Sequence, residues 1–149
     1  MIFDYAPALE SQDIVTIDAH YGLFIDGEFV ESIDGTSFKT VNPATEEVLA
    51  EITAAGSADV DRAVHAAQSA YNRVWSKMPG SERAKYLYRI ARIIAEKSRE
   101  LAVLETLDNG KPIRESRDVD LPLVSAHFFY YAGWADKLQH AGFGAAPKP

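Results

Sequence analysis

Residues 105–113 read ETLDNGKPI, where an apolar helical pattern runs into Asp-Asn-Gly-Lys-Pro and stops. Upstream, Leu101, Leu104 and Leu107 recur at helical spacing. Gly110 suits the left-handed position just past a helix end, and Pro112 prevents continuation. Lys111 lies near the negative helix C-terminus. The stretch therefore reads as a helix stop. Asp108 and Lys111 also carry chemistry-bearing groups, so a second role has to be weighed for them.

Working back from this stop, Ser98 is the expected N-cap of the helix that ends there. A preceding helix is expected from Ser81, with Glu82 in its first turn and Leu87, Ile90, Ala91 and Ile94 on its apolar stripe. Met78-Pro79-Gly80 separates it from an earlier helix, capped at Ser57 and ending near Trp75. In that helix Val60, Ala63, Val64, Ala67, Tyr71 and Val74 share one face.

Before Ser57 the period changes to that of strands. Asp26-Gly27 between Leu23-Phe24-Ile25 and Phe29-Val30 predicts a hairpin, because glycine tolerates positive φ. Asp34-Gly35 is a second turn. SFKTV leads to a bend at Asn42-Pro43, and a further strand runs from Val48 to Thr53. Residues 1–20 lack a clear period and read as an N-terminal arm.

Working forward, a last helix is expected with Asp120 as N-cap and Pro122 in its first turn. Leu121, Val124, Phe128, Tyr131, Ala135 and Leu138 form its stripe, and Phe129, Tyr130 and Trp134 widen it. So broad an apolar surface implies burial on more than one side. The fold class is α+β: a β-hairpin and strands followed by a helical layer.

Composition bounds the function. The chain has 149 residues, enough for one domain, and a net charge of -7. That acidic balance argues against nucleic-acid and anionic-membrane partners. There is no cysteine, which excludes disulfides, thiolate metal sites and a cysteine nucleophile within this chain. The opening MIFDYAPALESQD lacks the form of a secretory signal, and no apolar run approaches a membrane span of ~20 residues. The expected location is cytoplasmic.

The residues taken singly carry little catalysis. His20, His65, His127 and His140 have no metal-ligand spacing. His65 is an ordinary helix-surface partner of Asp61, and His127 reads as a packed polar tip. GFGAAP at 142–147 lacks the third glycine and the strand–helix context of a dinucleotide loop. Glu46-Glu47 and Asp118/Asp120 are accounted for by solvated turns and helix starts.

Several stretches in succession nevertheless resemble one family. FIDGEFV, TVNPATEEVLAEI, DVDRAVHAA, ERAKYLYRIARII, LETLDNGKP and FFYYAGWADKL are similar to the N-terminal part of NAD(P)-dependent aldehyde dehydrogenases. The likeness covers roughly residues 21–140, in the family's order. It implies that residues 21–149 belong to the α/β aldehyde dehydrogenase-like fold as an incomplete segment. In the family a cysteine thiolate attacks the aldehyde, hydride passes to NAD or NADP, and a glutamate-activated water releases the acid. Those groups lie later in the family's sequence, so this chain is expected to be inactive alone. Its expected partners are the missing C-terminal part, an aldehyde substrate and further copies in a homo-oligomer.

The resemblance also implies two site assignments. Thr40, Val41 and Asp108 match positions that help hold a monovalent cation, which would take carbonyl and carboxylate oxygens. Leu123 matches a substrate-tunnel contact. Glu46 stands where the family often has glycine, and HAGFGAAPKP departs from the family's usual continuation. The rival expectation is a stand-alone, non-catalytic interaction or oligomerisation module pairing through the aromatic helix at 121–138.

Overall fold

The computed structural model describes residues 11–138. A short 3-10 turn, Gln12–Ile14, opens it and lies against a later helix. Five strands follow: β1 (His20–Tyr21), β2 (Leu23–Ile25), β3 (Glu28–Val30), β4 (Ser37–Val41) and β5 (Val48–Thr53). β2 and β3 form the expected antiparallel hairpin, with Leu23 opposite Val30 and Ile25 opposite Glu28. Asp26 and Gly27 both have positive φ, 56° and 88°, as a two-residue hairpin turn with primed geometry requires.

The other strands make a three-stranded sheet in the order β1-β5-β4. β4 runs antiparallel to β5, with Thr40 opposite Ala50 and an irregularity between Thr40 and Val41. β1 joins β5 in parallel. The β4–β5 turn is organised by Asn42, whose side-chain oxygen accepts from the Ala44 amide at 2.9 Å. Glu46 closes it at φ 62°, in the left-handed region.

The helices are α1 (Ser57–Arg73), α2 (Gly80–Glu96), α3 (Ser98–Asn109), α4 (Ile113–Glu115) and α5 (Leu121–Trp134). Their spans follow the expected pattern, but the caps differ. Gly56, Pro79 and Lys97 occupy the N-cap positions assigned to Ser57, Ser81 and Ser98. At α1 the reason is Asp59, 1% exposed, whose carboxylate accepts from the Gly56 amide at 3.0 Å and the Ile33 amide at 3.1 Å. One buried acid thus satisfies the helix start and fastens the turn after β3 to it.

Asp120 is also not a cap. Residues Ser116–Asp120 form a π-helical turn between α4 and α5, and Asp120 has helical dihedrals (φ -68°, ψ -53°). The polypeptide is therefore helical from Ile113 to Trp134.

Among the described residues α2 and α5 form the most extensively packed helix pair. The core between them is small-residue packing: Ala84, Ala91 and Ala132 are buried, and the Ser125 hydroxyl donates to the Ala91 carbonyl at 3.0 Å. Small side chains let helix axes approach closely. Gly80 shows how closely: a Cβ there would sit 2.2 Å from the Ala135 carbonyl oxygen. α3 contributes Ala102, Val103 and Leu107 to the core and rests on the π turn.

The expected α5 stripe is corrected by this packing. Leu121, Ser125 and Ala132 face inward, with Phe128 half-buried, whereas Val124, Tyr131 and Leu138 are exposed. His127, expected as a packed tip, is exposed too. Along α1, Val60, Val64, Tyr71 and Val74 are likewise exposed, and Asp59 is its one buried residue. These apolar faces have no cover among the described residues.

Candidate functional site

The helix stop and the β4–β5 turn meet. Gly110 caps α3 at φ 76°, and its amide donates to the Thr106 carbonyl at 3.0 Å. A Cβ on Gly110 would lie 2.8 Å from the Pro43 ring, so the turn after β4 rests directly on the end of α3. Across this junction the Thr40 hydroxyl donates to the Asp108 carboxylate at 2.5 Å. Two of the three expected cation-site residues are therefore in contact, although 68 positions apart. Val41 follows Thr40 at the β4 irregularity and is 40% exposed.

The junction brings one carboxylate and one hydroxyl oxygen together beside an irregularity at the end of β4. Among the described residues no three His, Asp or Glu side chains converge in the manner of a divalent or transition-metal site. Beside the junction lies an apolar cleft of about 400 Å³ between the sheet and α3. Leu49, Ile52, Leu101 and Leu104 wall it, and Glu105 and Asp108 stand among the lining residues.

Lys111 is committed to structure. Its ammonium is hydrogen-bonded to Asp120, with Glu105 at 3.9 Å. The Asp120 hydrogen bond, reinforced by the charges of Asp120, Glu105 and Glu115, raises its pKa above the ordinary lysine value. A nucleophilic lysine needs the opposite shift. Lys111 instead ties the loop after α3 to the end of the π turn, while its own amide donates to the Asn109 side chain at 2.8 Å.

Leu123 lies in the first turn of α5 and is half-exposed. The cleft that holds Thr40 and Asp108 does not include it. The structure thus separates the two expected assignments: one sits at the sheet–α3 junction, the other on the outer side of α5. His140 and residues 142–147 lie outside the described residues, as do residues 1–10 of the expected arm.

One cluster had no signal in the sequence. His20 Nε2 lies 2.9 Å from Glu31 and 3.3 Å from the Thr53 hydroxyl, which itself donates to Glu31 at 2.9 Å. The three residues come from β1, the position just after β3, and β5, and only the fold brings them together. A Ser-type triad requires the acid and the hydroxyl on opposite ring nitrogens. Here both face Nε2, so the cluster acts as a clasp between the hairpin and the sheet. The hydrogen bond from His20, then that from Thr53, holds the Glu31 carboxyl below its usual pKa.

Comparison with known proteins adds a family. The model described as "Aldehyde dehydrogenase family" matches residues 29–148. Aldehyde dehydrogenase family 2 member B4, a mitochondrial protein of Arabidopsis thaliana, is 44% identical over 121 residues, covering 80% of this chain and 22% of that protein. The NAD(P)+ aldehyde dehydrogenase 2 of Saccharomyces cerevisiae is 43% identical over 124 residues, covering 83% of this chain and 24% of that one. The NAD+ complex of an aldehyde dehydrogenase from Bacillus cereus superposes with a TM-score of 0.77 at 46% identity, over 80% of this chain and 24% of that one. The chain spans about a quarter of the length of the curated relatives it matches.

Proposed function

Since the chain belongs to the aldehyde dehydrogenase family, we propose that it forms the N-terminal portion of an enzyme oxidising an aldehyde to a carboxylic acid with NAD or NADP. The observation that carries this reading is the contact between Thr40 and Asp108. It joins two of the family-like motifs, TVNPAT and LETLDNGKP, and supports the reading by bringing a hydroxyl and a carboxylate oxygen together.

Within that enzyme the chain's work is positional. Asp108, Thr40 and the Val41 carbonyl hold a monovalent cation below the cofactor-binding part. Leu123 supplies one apolar contact of the substrate tunnel, which favours apolar aldehydes. In this reading the dinucleotide is bound mainly by the part outside this chain. The chain also has no cysteine to form a thiolate nucleophile. Hydride transfer and acyl chemistry are therefore assigned to the part outside this chain, and the 149 residues alone are inactive. The assembled enzyme is a cytoplasmic homo-oligomer. No helix among the described residues is long and apolar enough to cross a membrane.

The test is NAD(P)+ reduction with a panel of aldehydes, measured for the chain alone and for the chain joined to a relative's remaining three quarters. The expected result is turnover only in the joined protein. Turnover by the chain alone would refute the division of labour; no turnover by a folded joined protein would refute the enzymatic reading.

A further inference from the structure

The asparagines of the chain are Asn42, Asn72 and Asn109, and they differ in what the next nitrogen can do. A main-chain amide that loses its proton can attack the side-chain carbonyl carbon of the asparagine before it and close a cyclic imide. Pro43 follows Asn42 and has no N–H to lose. Arg73 follows Asn72 inside α1, where the backbone is held by helical hydrogen bonds and the Arg73 Cβ crowds the nitrogen. Gly110 follows Asn109 without a Cβ, and both residues are exposed at the end of α3.

Three restraints hold this pair out of reactive geometry. The Gly110 amide donates to the Thr106 carbonyl at 3.0 Å, so its proton is engaged. The Asn109 side-chain oxygen accepts from the Lys111 amide at 2.8 Å, which turns the carboxamide toward Lys111. Gly110 itself, at φ 76°, rests against the Pro43 ring. All of these belong to the last turn of a helix and an exposed loop, the kind of region that opens locally at low cost.

We infer that Asn109 is a site of spontaneous deamidation, gated by opening of the left-handed cap at Gly110. Once the cap opens, the Gly110 amide gives its proton to base and its nitrogen attacks the Asn109 Cγ. The N–Cγ bond forms, the Cγ–Nδ2 bond breaks, and ammonia leaves with a proton taken from solvent. Water then adds to either imide carbonyl and reopens the ring as aspartate or isoaspartate. Nothing is oxidised or reduced, and the reaction needs only this chain and water. In the isoaspartate the main chain runs through the Asn109 Cβ and is longer by that carbon. A new carboxylate also stands beside Asp108 at the negative end of α3, where an anion is unfavourable. Both changes displace Gly110 from Pro43 and loosen the junction that brings Thr40 to Asp108.

The experiment keeps the 149-residue chain folded at neutral and mildly alkaline pH, beside a sample unfolded in urea. Peptide mass mapping follows the change of amide to acid, and fragmentation separates isoaspartate from aspartate. Asp26-Gly27 and Asp34-Gly35 can also cyclise, but they lose and regain water without a change of mass, so the readout is specific to asparagine. In the folded chain conversion is expected at Asn109 before Asn42 and Asn72, faster as pH rises, and about tenfold or more slower than in the unfolded chain. Pro43→Ala removes the ring beneath the cap and should speed folded-state conversion about threefold or more. Lys111→Gln, which weakens the tie to Asp120, should act in the same direction and serves if circular dichroism shows the first variant unfolded. The isoaspartate form should unfold at lower urea than the parent.

A folded chain unconverted at Asn109 after about a hundred unfolded-state half-lives would overturn the inference. So would equal rates in the folded and unfolded samples, earlier conversion at Asn72, or folded variants that convert no faster than the parent. An isoaspartate form as stable as the parent would overturn the loosening of the junction.

Discussion

Replacing Asp59 should damage this chain more than its position in the first turn of a helix suggests. The carboxylate is 1% exposed and accepts from two amides, Gly56 at 3.0 Å and Ile33 at 3.1 Å. Hydrogen bonds to a charged group contribute about 1.5–3 kcal/mol each. Gly56 is half-buried and Ile33 is exposed, so water can partly replace the lost acceptor, and the lower end applies to both. Asp59→Ala should therefore cost about 3 kcal/mol. Asp59→Asn preserves shape and one acceptor oxygen, and should cost about 1–2 kcal/mol. Urea unfolding followed by far-UV circular dichroism gives both values. An Ala penalty below about 0.5 kcal/mol, or an Asn variant more stable than the parent, would refute the argument. The second outcome would mean that nearby Asp34 makes the buried charge a net liability.

Other perturbations follow from single geometries. Glu46→Gly should raise the thermal midpoint, with a gain of about 1 kcal/mol, because φ 62° strains a residue with a Cβ and not a glycine. Gly80→Ala should cost about 2–3 kcal/mol in urea unfolding, since the new methyl would lie 2.2 Å from the Ala135 carbonyl oxygen and two backbones must separate. The Glu31 clasp predicts a pH dependence. A carboxyl whose folded pKa is depressed adds stability above its unfolded pKa and loses it as pH falls through the folded value. The stability difference between the parent and Glu31→Gln should thus shrink as the pH falls below about 4.

How far the sequence foretold this structure depends on the range of each interaction. The hairpin turn was legible because Asp26-Gly27 states its own dihedral requirement. The end of α3 was legible for the same reason at Gly110. The caps were not. The cap of α1 is completed by Asp59, an acid that also serves Ile33, 26 residues away. The inward face of α5 was illegible because the helix lacks a polar side to mark the outside. Ser125 and Ala132 were chosen for burial by the close approach of α2, not by hydrophobicity. At the candidate site, the Thr40–Asp108 contact spans 68 residues, and only family resemblance joined them beforehand. The His20–Glu31–Thr53 clasp had no local pattern to betray it.

The π turn at Ser116–Asp120 sets the phase of everything that follows it. A wider turn accommodates one more residue than an α-helical turn, so the flank facing α3 before it and the flank facing α2 after it are not one continuous line. Deleting a single residue there would rotate the downstream cylinder by roughly 100°. Side chains now turned to solvent would swing toward neighbouring helices, and alanines now enclosed would swing out. One inserted amino acid can thus decide which flank a helix offers to the outside without altering any of the residues it carries.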